Sequence, residues 1–204
     1  MSDWIIVSYY TFGTFYKDLA KRFVESLKKY KVLYCVEGVP NLNDWHRNTN
    51  HKPSFLLNML EKFLDKNVVW IDCDAELLQY PSLFDSLDCD VAAHEFDRCL
   101  YQSRRKNWPK ELLSGTIFLR NNERVRDLVK KWRQECEKSP LTWDQKSLEK
   151  VLNGDYYRLP ASYCQIYRLM RIVKDPVIVH YQASRQVRKN HGRLTGSAPL
   201  GPFQ

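Results

Sequence analysis

An α/β fold, built on a mixed, mostly parallel central sheet flanked by helices, is what this sequence predicts, and two observations carry the prediction. Short apolar runs with strand character recur along the chain, and helical patterns separate them; such alternation places strands in one layer and helices against it. The 204 residues suffice for one core of this kind and leave no room for a second catalytic domain. A single domain is expected over residues 1–182, followed by a basic C-terminal tail over 183–204.

The strand-like runs are Trp4 to Val7, Val32 to Val36, Val68 to Ile71, Val91 to Ala93, Thr116 to Leu119 and Val177 to Val179. Between the first two, Leu19, Phe23 and Leu27 recur every four residues and share one helical face, with Lys21, Lys28 and Lys29 left for solvent. A second helix should start at Pro53 and run to about Leu64, its stripe made by Phe55, Met59, Leu60 and Phe63. Val125, Leu128, Val129 and Trp132 mark a third, and Leu148, Val151 and Leu152 a fourth that Asn153-Gly154 ends. The polar stretch from Glu37 to Lys52 and the basic stretch from Arg98 to Lys110 read as loops.

Composition narrows the function classes. The six cysteines form no C-x-x-C pair, which argues against a zinc knuckle or a dithiol redox motif and for reduced thiols. No run approaches the roughly 20 apolar residues of a membrane span, and no signal peptide precedes the first strand. A soluble, cytoplasmic protein is expected, in a host cytoplasm if the source is viral. A net charge of +8 raises the local concentration of phosphates and so favours a polyanionic partner, or is an ordinary basic surface.

The segment Val68-Val69-Trp70-Ile71-Asp72-Cys73-Asp74 holds the most chemistry. Four apolar residues of a buried strand run into two carboxylates at i and i+2, which face the same side of extended backbone. Open α/β sheets gather ligands at the carboxyl ends of their strands, and Mg²⁺ or Mn²⁺ is commonly held by one or two carboxylates together with substrate phosphates. The pair reads as a diphosphate clamp; on its own, a D-x-D also occurs as a solvated strand end.

With this strand and its D-x-D, the sequence resembles the GT-A glycosyltransferases, in particular small nucleotide-diphospho-sugar transferases. Three further segments match in the same order: Leu113-Ser114-Gly115-Thr116, similar to a small-residue turn that lets backbone approach the donor sugar; Trp143-Asp144-Gln145, similar to a D-Q element at a helix start; and Val177-Ile178-Val179-His180, similar to the last strand with its terminal histidine. The resemblance spans about residues 4 to 189. It implies a GT-A domain and a nucleotide-sugar donor, with UDP favoured as its nucleotide. It also implies a metal site of Asp72, Asp74 and His180, whose mixed oxygen and nitrogen donors favour Mn²⁺ over Mg²⁺. Donor contacts are implied at Tyr9 and Tyr10, which with Ser8 follow the first strand, and at Lys52, Asp72, Ser114 and Gly115. Arg185 and Arg188 would close over the diphosphate, although the family commonly has Lys and Gly there. Asp144 is the first candidate for a catalytic base or a sugar contact, with an N-cap role compatible, and Glu95 is the second. Taken singly, His180 also reads as a structural histidine, and Ser114-Gly115 as a plain tight turn.

For the acceptor, Arg98 to Lys110 interleaves five cations with Tyr101 and Trp108, and the tail adds Arg185, Arg188, Lys189 and Arg193. Both segments suit a phosphate backbone. A hydroxymethylated pyrimidine in DNA, as certain phage-encoded glycosyltransferases use, is therefore one acceptor, and would have to leave its stack; a glycan, a lipid-linked sugar or a protein is the alternative. Two other classes compete. Haloacid-dehalogenase-like phosphatases also place D-x-D after a strand, but near the first one, whereas here some seventy residues precede it and Glu76 occupies the place of their Thr or Val. A non-catalytic nucleic-acid-binding module on a sugar-nucleotide fold would have no need of the three metal ligands together.

Overall fold

The structure is a computed structural model, and it describes residues 3–101 and 108–183. A six-stranded sheet forms its centre, in the order β2-β1-β3-β6-β5-β7. These strands are β1 (Trp4–Thr11), β2 (Tyr34–Val39), β3 (Asn67–Ile71), β5 (Val91–Phe96), β6 (Glu111–Leu119) and β7 (Tyr157–Arg158). β1 is parallel to β2 and β3, and β5 to β7, while β6 runs against both β3 and β5. The sheet is thus mixed and mostly parallel, with β6 alone reversed; the alternation of elements predicts the parallel part. That reversal puts the carboxyl end of β3 beside the middle of β6, since Ile71 pairs with Thr116.

Period-two alternation sends neighbouring residues of each buried strand to opposite faces. Ile5, Val7, Val68 and Trp70 enter one core with Phe55, Leu56, Leu60, Val125, Val129, Trp132 and Leu148. These last come from α3 (Lys52–Lys62), α5 (Glu123–Lys138) and α6 (Asp144–Leu152). Trp4, Ile6, Val69 and Ile71 enter the other core, against Phe23 and Leu27 of α1 (Tyr16–Lys29). Complete burial of a ring such as Phe23 contributes about 1.5–3 kcal/mol. The caps are local: the Asn122 side chain accepts from the Val125 N–H at 2.8 Å to start α5, and Asn153, at φ 46°, closes α6 in the left-handed region.

A second, three-stranded sheet lies on the α1 side, in the order β4 (Ala75–Leu77), β9 (Ile178–His180), β8 (Gln165–Ile166). β4 pairs antiparallel with β9, and the register sets Ala75 opposite His180. The late part of the chain thereby returns to the segment just after β3.

Several boundaries differ from the expectations. β1 continues through Thr11, so Ser8, Tyr9 and Tyr10 lie within the strand and do not follow it. The polar stretch after β2 contains a helix, α2 (Trp45–Asn50), whose N-cap Asp44 accepts from the Arg47 N–H at 2.8 Å; its few apolar residues hid it. The basic stretch opens with a short helix, α4 (Arg98–Tyr101). Ser114 and Gly115 are strand residues of β6 and make no tight turn. Asp144 is the first residue of α6 and not its cap, which is Trp143.

Candidate active site

The carboxyl ends of β1 and β3, the first half of β6 and the start of α6 surround a cleft of about 470 Å³. Asp72, Asp74 and His180 meet in it, each offering a ligand atom within 4.8 Å of the others. Asp72 follows β3 directly, and its backbone N–H donates to the Gly115 carbonyl at 2.9 Å, continuing the β3–β6 ladder. Asp74 is tied to the returning chain. Its carbonyl accepts from the Tyr181 N–H at 3.1 Å, and its Oδ2 accepts from the Ala183 N–H at 2.8 Å.

The β5–β6 pairing carries the device that opens this site. Ala93 pairs with Ile117 and the next residue, His94, with Leu113, so β6 spends Ser114, Gly115 and Thr116 in a bulge that β5 does not match. Each bulge residue has a separate task. Thr116 Oγ1 is 2.8 Å from His180 Nε2, which leaves Nδ1 directed towards Asp74 Oδ1, 4.0 Å away. Gly115 leaves room: a Cβ there would stand 3.1 Å from His180 Cε1, 3.2 Å from its Nδ1 and 3.5 Å from Asp72 Oδ2. Ser114 donates from its hydroxyl to Asp144 Oδ2 at 2.9 Å.

Charge is distributed tightly. Lys52, only 4% exposed, lies 2.8 Å from Asp144 Oδ2 and 3.2 Å from Asp72 Oδ1, and donates to the Ser114 carbonyl at 3.1 Å. Burial works to lower its pKa, but Asp144 and Asp72 overcome this and hold the ammonium above its ordinary range. Burial, with the Asp72 charge beside it, pushes the Asp74 carboxyl up to about 7. Burial lowers His180 to about 4, so its imidazole is neutral at physiological pH, the form that ligates metals.

These residues fit a divalent cation. Two carboxylates and a neutral imidazole converge on a space that a single Cβ at Gly115 would fill, and the imidazole is held at its far nitrogen, the usual arrangement of a ligating histidine.

A comparison with protein-family models matches residues 28–189 to the nucleotide-diphospho-sugar transferases. The chain belongs to this family. It is a glycosyltransferase, with a nucleotide sugar as donor. Solved structures share the transferase's fold across nearly all of its length. A glycosyltransferase involved in glycosylating the major capsid of PBCV-1 is 17% identical with a TM-score of 0.68, over 94% of this chain and 100% of that one. The galactosyltransferase LgtC, solved with donor and acceptor sugar analogs, gives 12% and 0.60 over 96% and 98% of the two chains. The apo glycosyltransferase GlyE of Streptococcus pneumoniae TIGR4 gives 12% and 0.64, and the chain covers 89% of itself but about half, 55%, of GlyE. No curated protein sequence matches the transferase significantly.

The remaining sequence candidates fall on both sides of the cleft wall. Tyr9 and Tyr10 line it, but Tyr9 is largely core: its hydroxyl donates to the Asn48 carbonyl at 2.6 Å, and its ring packs on Phe55 and Trp70. Lys52, Ser114, Gly115 and Asp144 line it as well. Glu95 is not brought there. It lies on β5 outside the cleft lining, with its carboxylate taken by Lys110 at 3.0 Å and Arg158 at 3.2 Å. Arg185 and Arg188 lie outside the described residues, as do Arg104, Arg105 and Lys106. Of the basic stretch, Arg98 is committed to Glu111 at 2.7 Å and stacks on Trp108 at 4.8 Å. The contacts that Trp70, Thr116 and the Ala183 N–H make here are not legible in the sequence, because they depend on register between distant segments. No helix among the described residues is long and apolar enough to cross a membrane.

Proposed function

We propose that this transferase moves a sugar from a UDP-sugar to an acceptor hydroxyl, with Mn²⁺ held by Asp72, Asp74 and His180. The observation that carries this reading is the convergence of those three ligand atoms within 4.8 Å in the cleft, next to the space left by Gly115. The ion, when bound, supplies positive charge against the charge that develops on the departing diphosphate. Asp72 and Asp74 supply its oxygen donors, and His180 the nitrogen through Nδ1. Lys52 keeps Asp72 and Asp144 in place. Asp144 has Oδ2 occupied by Ser114 and Lys52, which supports a role as hydrogen-bond acceptor for a sugar hydroxyl, the second of its two sequence readings. Gln145 donates to Glu111 at 3.0 Å, which sets its amide beside Asp144 at the start of α6.

For the acceptor, a glycan or protein-linked hydroxyl is the reading we favour. Two of the cations that suggest DNA, Arg98 and Lys110, are paired with Glu111 and Glu95, and the structural neighbours' own descriptions name a capsid and an acceptor sugar analog. The net charge of +8 supports the second reading, hydroxymethylated DNA. A thermal-shift screen of UDP- and GDP-sugars with and without Mn²⁺ tests the donor reading, since a ligand specific to the folded state raises its stability. Stabilisation by a UDP-sugar only with metal supports it; no shift from any donor contradicts it. Label transfer from that donor to hydroxymethylated duplex, and none to glycans or protein, would reverse the order of acceptors.

A further inference from the structure

We infer that Trp70 is a positioning residue, whose indole N–H sets the rotation of the Asp72 carboxylate and so delivers Oδ2 to the metal; this rests on the metal reading proposed above. Trp70 and Asp72 are two residues apart on extended backbone, so their side chains leave the same face. The indole Nε1–H donates to Asp72 Oδ1 at 2.8 Å. Lys52 donates to that same oxygen at 3.2 Å. Two N–H donors therefore occupy both lone pairs of Oδ1, and Oδ2 is the oxygen left for a cation. Its direction is the required one: Oδ2 is 3.5 Å, and His180 Nδ1 3.2 Å, from the point where a Gly115 Cβ would stand.

The indole is itself immobilised. It is 2% exposed, with its ring against Tyr9 at 5.1 Å and Phe55 at 5.9 Å, and the Lys52 ammonium lies over its face at 5.0 Å. Its strand is held on both sides, Trp70 pairing with Val7 of β1 and Ile117 of β6. The two donors to Oδ1 differ in what else they do. Lys52 also neutralises Asp144, whereas the Trp70 N–H carries no charge and has Asp72 as its partner, so its removal changes orientation while leaving the charge of the site intact. An apolar strand position needs no Trp for burial alone; Phe or Leu would fill the core without supplying a donor.

The test uses the full chain and Mn²⁺ alone, with free Mn²⁺ measured by electron paramagnetic resonance. Trp70→Phe keeps the ring packing and removes the N–H. The expected result is a loss of Mn²⁺ affinity of about tenfold or more, the usual effect of removing a partner that orients a ligand, with the melting temperature in EDTA no lower than that of Phe84→Leu, a comparable truncation in the opposite core. Phe84→Leu should bind Mn²⁺ as the unsubstituted protein does. If Trp70→Phe fails to fold, benzothienylalanine at position 70, which has the indole's shape without its N–H, gives the same comparison. Equal Mn²⁺ affinity in a folded position-70 variant and the unsubstituted protein overturns the role of Trp70. Absence of Mn²⁺ binding by the unsubstituted protein overturns the metal reading itself, and this inference with it.

Discussion

Lys52→Met removes the single buried cation of the Lys52–Asp144–Asp72 group and leaves Asp144, with a side chain only 6% exposed, facing the Ser114 hydroxyl alone. Breaking a buried ion pair from one side costs about 3–5 kcal/mol, because the remaining charge keeps its desolvation penalty without its partner. For a chain of this size each kcal/mol lowers the melting temperature by roughly 2–4 °C, so a fall of about 6–20 °C is expected. Asp144→Asn should cost less, since Lys52 retains Asp72 at 3.2 Å and the Ser114 carbonyl at 3.1 Å. The double variant should then be more stable than the sum of the single losses implies, with a coupling of about 0.5–3 kcal/mol. Urea unfolding of the four proteins at pH 7.5 in EDTA measures this cycle. A loss below about 1 kcal/mol for Lys52→Met, or strict additivity, would show that Asp144 is solvated in the native state and that the ion pair does not organise the cleft.

Three further outcomes follow from the same geometry. Asp74, raised to about 7 in the fold from an ordinary 3.8, is a group whose folded pKa exceeds its unfolded one: its contribution to apo stability is present in full below pH 3.8 and is lost as pH rises through about 7. Because the metal requires the carboxylate, Mn²⁺ affinity should rise about tenfold per pH unit up to neutrality and then level, as calorimetric titrations across pH 5.5–8.5 will show; a flat profile would contradict it. Thr116→Val should weaken Mn²⁺ binding about 10- to 100-fold by releasing His180 Nε2, while Thr116→Ser, which keeps the hydroxyl, stays close to the parent; equal losses would assign Thr116 to packing alone. Gly115→Ala sets a methyl 3.1–3.2 Å from the His180 ring and should cost about 1–3 kcal/mol of stability by overpacking, together with detectable Mn²⁺ binding, both read by melting with and without metal.

The sequence carried the core and the ligands further than it carried their arrangement. The helical stripe of Leu19, Phe23 and Leu27 is buried as its spacing requires, because a four-residue apolar repeat has one face to hide. A D-x-D alone also occurs as a solvated strand end, so the Asp72–Asp74 pair was legible through its place after a buried strand and the three further segments that match in order, and His180 because a strand ends on it. The β6 bulge was not readable: Ser114-Gly115-Thr116 resembles a turn in sequence, and only pairing with β5 shows that it is a strand distortion. Glu95 looked available from its neighbours in the chain, but Lys110 and Arg158, far apart in sequence, claim it in the fold. Trp70 read as one more apolar strand residue, since its N–H acquires meaning only once the Asp72 carboxylate has turned towards it.

The metal clamp is the centre of the account, and Asp74→Asn tests it most directly. Asn at this position can still accept from the Ala183 N–H, now at 2.8 Å from Asp74, and sheds a carboxylate whose burial opposes its charge, so the variant should melt no lower than the parent in EDTA at pH 8. Nucleotide release from the UDP-sugar that stabilises the parent should require Mn²⁺ and fall by at least about 10²-fold in this variant, the scale on which loss of leaving-group stabilisation acts. Release that persists in EDTA, or a folded Asp74→Asn protein that turns over like the parent, would contradict the assignment of Asp72, Asp74 and His180 as the metal site.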